Sequence, residues 1–218
     1  MDDDLPLSSN IKQYSVEQYF IRLRIDFKKH VIRSNSVLAI KKASEWKREE
    51  APTFILDCSD SVVKNVELLN IDLTDTSVDE LDFRRFEESS TTSLKFQLNS
   101  WYLEIELFSN TDNEDDNSLE RIDRNDLLFV KIETETLAES RSVHWRRDVD
   151  DKIMVYTAAA SINNRGLFPC QVTLIDKMKI LFYLTLLIGC TWCYVNMEDD
   201  DISAHRVQRL DSSLHWRN

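Results

Sequence analysis

The chain has 218 residues, a formal net charge of -12, 42% hydrophobic residues and 30% charged residues. That balance excludes a wholly disordered polymer, and the acidity excludes a phosphate backbone held by net charge. Only two glycines are present, which excludes a phosphate-cradling glycine loop and a Gly-x-Ser-x-Gly nucleophile elbow.

Between residues 17 and 27, Tyr19, Ile21, Leu23, Ile25 and Phe27 alternate with mostly polar neighbours. A period of two predicts a strand with one buried face. Lys28, Lys29 and His30 form a polar turn, and a second strand from Val31 to about Lys41 closes a hairpin. Phe54 to Leu56 and Val62 to Leu73 predict two more strands. Val78 to Glu88 sets Val78, Leu81, Phe83 and Phe86 among acids and reads as a helical turn or a loop. Residues 93 to 108 hold two runs; in the second, Trp101, Leu103, Ile105 and Leu107 alternate with other residues. Leu127 to Thr134 and Val155 to Ala160 add further strands. Short strands with polar turns predict a mainly β, sandwich-like domain.

The texture then changes. From Ile180 to Val195 no residue is charged, with Lys177 and Lys179 before the run and Glu198 to Asp201 after it. As a helix those residues rise about 24 Å, against about 30 Å of bilayer hydrocarbon. The expectation is one apolar helix over about 178–196, either membrane-inserting or a hydrophobic segment without a partner, then a disordered polar tail. The acidic amino terminus has no apolar core and does not read as a secretory signal. The default setting is therefore cytoplasmic with reduced cysteines, the alternative a membrane anchor through 178–196 with the amino terminus in the cytoplasm.

The chemical motifs are sparse. A zinc peptidase uses H-E-x-x-H, two imidazoles one helical turn apart with a Glu to activate water. His30, His144, His205 and His215 are followed by Val31, Trp145, Arg206 and Trp216, so no such motif occurs. Cys190-Thr-Trp-Cys193 lacks a second pair and a redox context, and reads as apolar filler. Asp112, Glu114, Asp116 and Asp123 have calcium-loop spacing, but Asn117 stands where that loop needs glycine, so an acidic surface loop is expected. No catalytic residue, metal ligand or nucleic-acid partner is assigned.

Three stretches carry a resemblance: Arg141-Ser-Val-His-Trp145, Val155-Tyr156, and Ile162-Asn-Asn-Arg-Gly-Leu-Phe-Pro-Cys-Gln171. Together they resemble a signature of the gluzincin-type zinc aminopeptidases, the family of leukotriene hydrolase and alanyl aminopeptidase. Asp3 to Leu7, Asp26-Phe27 through Val31-Ile32, and Phe54 to Cys58 with Val63 to Val66 agree in order. The resemblance covers about residues 1 to 171. It implies a saddle-like antiparallel β-sandwich, the amino-terminal domain, which packs on a zinc-binding catalytic domain and closes one side of its cleft. The family removes amino-terminal residues from peptides, and a glutamine-rich lip helps hold the substrate's free amino group. The matching lip here is Tyr156-Thr-Ala-Ala-Ala160, with Ala158 and Ala160 in place of the glutamines, leaving backbone groups to make the contact. Zinc belongs to the full-length family, and no cofactor is expected in this chain. Peptide substrate is expected only in a full-length context, and a protein partner only on the face turned to the catalytic domain. After Gln171 the pattern ends, and 172–218 reads as an unrelated appendage.

Overall fold

The structure is a computed structural model that describes residues 7–42, 53–73, 77–107, 127–149, 151, 153–157, 161–171 and 179–186. The expected lip residues Ala158 and Ala160, the acidic loop, the C-x-x-C pair and the carboxy-terminal tail lie outside them.

The predicted hairpin forms from β1 (Tyr14–Asp26) and β2 (Val31–Lys42). Its turn is closed by the Lys29 amide donating to Asp26 Oδ1 at 3.0 Å, with His30 at φ 55°. Such a left-handed residue suits the tight reversal. The chain continues through β3 (Thr53–Asp57), β4 (Ser61–Asn70), a short 3-10 turn at Val78–Glu80 and α1 (Phe83–Glu88). Asp82 caps α1 by accepting from the Arg85 amide at 3.0 Å. Then follow β5 (Ser90–Ser93), β6 (Lys95–Leu98), β7 (Tyr102–Glu106), β8 (Leu128–Thr136), β9 (Val143–Arg147), β10 (Ile153–Thr157), a 3-10 turn at Ser161–Gly166 and β11 (Lys179–Leu186).

The strands divide into a six-stranded sheet ordered β11-β1-β2-β8-β4-β5, a three-stranded sheet β3-β7-β6 and the pair β9-β10. All pairings are antiparallel except β1 with β11. The large sheet is buried on both faces. Tyr19, Ile21, Leu38, Ile40, Val130 and Ile132 pack toward Phe54, Leu56, Leu103 and Ile105 of the three-stranded sheet. Their sequence neighbours Phe20, Val37, Ala39 and Phe129 pack on the other side with Leu81, Phe83 and Phe86. Phe20 meets Phe86 edge-on, with centroids 4.9 Å apart. This two-sided burial explains why Val37 to Ile40 is a continuous apolar run, whereas Arg22, Leu23 and Arg24 still alternate.

Three elements differ from the sequence expectation, one of them the unanticipated polar strand β5. β9 was not anticipated: Val143-His-Trp-Arg-Arg147 buries fully only Val143, so it shows no period. The expected helix over about 178–196 is corrected over Lys179–Leu186, which is a strand. An uncharged run has no periodicity to separate the two, and β1 offers an open row of backbone groups that a strand satisfies and a helix does not. Among the described residues no helix is long and apolar enough to cross a membrane.

Candidate functional site

The lip resemblance falls at the end of β10, which pairs with β9 in the register Val155 to Trp145, Tyr156 to His144 and Thr157 to Val143. Alternation sends Val143 and Val155 into the core. It leaves Met154 and Tyr156 exposed, the latter stacked on His144 at 4.9 Å between centroids. Trp145 is met by Phe27 edge-on at 5.7 Å and by the stacked His30 ring at 5.1 Å. Both described histidines thus rest on aromatic rings.

Downstream of the lip the chain is fastened at three points, of which Gly166 is one. A Cβ there would overlap the Ser142 hydroxyl and lie 2.9 Å from Ser142 Cβ, so only glycine fits this approach. The same hydroxyl donates to the Asn163 carbonyl at 2.6 Å. Arg165 is the second point, a buried arginine whose guanidinium lies 5.2 Å from the Trp101 ring centroid. Arg141 lies 5.0 Å from the same centroid and pairs with Asp60 at 3.4 Å. An indole facing two guanidiniums gains cation–π attraction from each.

Gln171 is the third point. Its Nε2 donates to the Tyr14 carbonyl at 2.7 Å, its Oε1 accepts from the Val16 amide at 2.9 Å, and its own amide donates to Tyr19 Oη at 2.8 Å. These bonds bracket the β-bulge of β1 between Val16 and Gln18, where the ladder leaves backbone groups unpaired. Between the last two points, Leu167, Phe168 and Cys170 enter the core, and Cys170 exchanges both backbone bonds with Asp57 at 2.8 and 3.0 Å. The longest resembling motif is therefore a strap that closes the domain.

The electrostatics oppose nucleophilic chemistry here. Burial pushes the Cys58 thiol up to about 11 and lifts Cys170, with Asp57 beside it, well above the usual thiol range. Burial likewise raises the Tyr14 hydroxyl to about 12 and Tyr19 well above its ordinary value. A thiol held neutral is a poor nucleophile and a poor metal ligand. Among the described residues no three His, Cys, Asp or Glu side chains gather to hold a metal. The donor set among the described residues does not fit zinc.

Sequence reasoning placed Arg141, Trp145, Tyr156 and Arg165 to Gln171 in one region, and the structure brings them together around β9, β10 and the strap. It missed Trp101 as the platform for two arginines, since a single tryptophan in a strand-like run carries no signal of what stacks on it.

No family model matches the chain. Aminopeptidase O of Rattus norvegicus is 48% identical over 42 residues, 19% of this chain and 5% of that protein, and aminopeptidase O of Homo sapiens matches to the same extent. Two solved structures of leukotriene A4 hydrolase from yeast share the fold at a TM-score of 0.58. Their identities are 18% and 19%, over 87% of this chain and 26% of theirs. The chain thus spans about a quarter of the solved relatives and a small fraction of the curated ones.

Proposed function

We propose, from the premise that this chain is an amino-terminal domain of the aminopeptidase family of aminopeptidase O and leukotriene A4 hydrolase, that it is a non-catalytic wall of a peptide-binding cleft. The observation that carries the reading is the strap. Three anchors after the lip fasten Arg165 to Gln171 against the core. A substrate lip must be positioned by its own packed support, because binding groups work only when held in place. The exposed face of β10, with Met154, Tyr156 and the stacked His144, supplies the surface for the catalytic portion.

In this reading the family's zinc and water-activating Glu lie in the catalytic portion, and this domain orients the peptide's amino end. By the resemblance Ala158 and Ala160 take the place of the lip glutamines, which leaves backbone groups for the contact to the amino group. A peptide with a free amino terminus is the substrate class. Incubating the purified chain with zinc and aminoacyl reporter substrates tests the non-catalytic role. No turnover is expected; steady hydrolysis that a chelator abolishes overturns it.

A further inference from the structure

The two edges of the large sheet are built differently. At one end β5 is four residues long, all Ser and Thr, and fully exposed. A short polar edge resists further pairing. At the other end the terminal strand β11 lies in parallel on β1, which is thirteen residues long, over eight consecutive positions from Gln18 with Lys179 to Ile25 with Leu186. The register has no shift. Without β11, this row of β1 backbone groups would form a long open edge beside buried Tyr19, Phe20 and Ile21.

We propose that the outer edge of β1 is a strand-acceptor site for an extended apolar peptide in parallel register, occupied in this chain by its own Lys179–Leu186. Three features support it beyond the pairing itself. Gln171, the last residue of the strap, is fastened to Tyr14, Val16 and Tyr19, so the chain is delivered beside β1 just before the pairing starts. The occupant holds Ile180, Phe182, Tyr183 and Thr185, residue types that suit a pleated surface. Among the described residues its sheet neighbour is β1 alone, and a strand held on one side by backbone bonds is the arrangement by which peptides add to sheet edges. The pairing is backbone to backbone and the occupant is apolar in sequence, so the ligand class is an extended apolar peptide.

Two single prolines in the full chain, Phe182→Pro and Tyr183→Pro, test this. Along a strand successive amides point to opposite sides, so only one of the two removes a bond to β1. That one variant should speed hydrogen exchange of the outward β1 amides between Gln18 and Ile25 by about tenfold or more, while β2 and β8 amides keep their protection. Adding a lysine-tagged peptide of residues 178–187 to that variant should restore slow exchange. Equal effects of both prolines, which a helix would give, overturn the proposal. So does loss of protection that the peptide leaves unchanged.

Discussion

Replacing Gln171 with Met keeps the length of the side chain and deletes both of its bonds. The Tyr14 carbonyl and the Val16 amide, at 2.7 and 2.9 Å from Gln171, then face an apolar atom at a buried bulge. Each unsatisfied buried backbone group costs about 1–3 kcal/mol, so the expected loss is about 2–6 kcal/mol. With a urea slope of about 2 kcal/mol per molar, the midpoint falls by about 1–3 M. Equilibrium urea unfolding followed by tryptophan fluorescence reads this shift, and exchange at the Val16 amide reads its location. A midpoint change below about 0.5 M, or a large change with Val16 still protected, refutes the bracket.

Gly166→Ala should cost about 1–3 kcal/mol through its overlap with Ser142, measured as a lowered Tm, and Ser142→Gly in the same chain should recover part of it. The Arg33 guanidinium, bonded at 2.8 Å, holds the Glu135 carboxyl below its usual range against the opposing effect of burial. Its contribution is present above the unfolded value of about 4.3 and is lost as pH falls through the lower folded value. Glu135→Gln should therefore flatten the acid side of the stability profile. Cys58 and Cys170 should resist maleimide at pH 8 in the folded chain and react once denaturant is added, as mapped by mass spectrometry. Because burial raises both thiols, their stabilising effect persists below the unfolded value of about 8.5 and fades as pH climbs through the folded ones.

The hairpin of β1 and β2 was legible because Leu23, Arg24 and Ile25 keep a two-residue rhythm around a polar turn. The two-sided burial of the large sheet was less so, because Phe20 and Phe129 contact α1, and only tertiary packing shows what covers a strand's second face. α1 stayed ambiguous since six residues make fewer than two turns. Lys179–Leu186 was misread as helix because pairing with β1, at a separation of some 160 positions (Gln18 with Lys179), leaves no local trace. Of the site, the motif from Arg165 to Gln171 was visible as a string, but its role was not. Leu167, Phe168 and Cys170 belong to that string and prove to be core, while Gln171 works through backbone groups that any sequence would present.

Titration calorimetry of this chain against the separately produced catalytic portion of aminopeptidase O tests the cleft-wall reading most directly. The account predicts saturable binding that Tyr156→Lys weakens by about tenfold, a loss of about 1.4 kcal/mol at the contact face. Heat without saturation up to about 100 μM, or binding that ignores Tyr156, contradicts it.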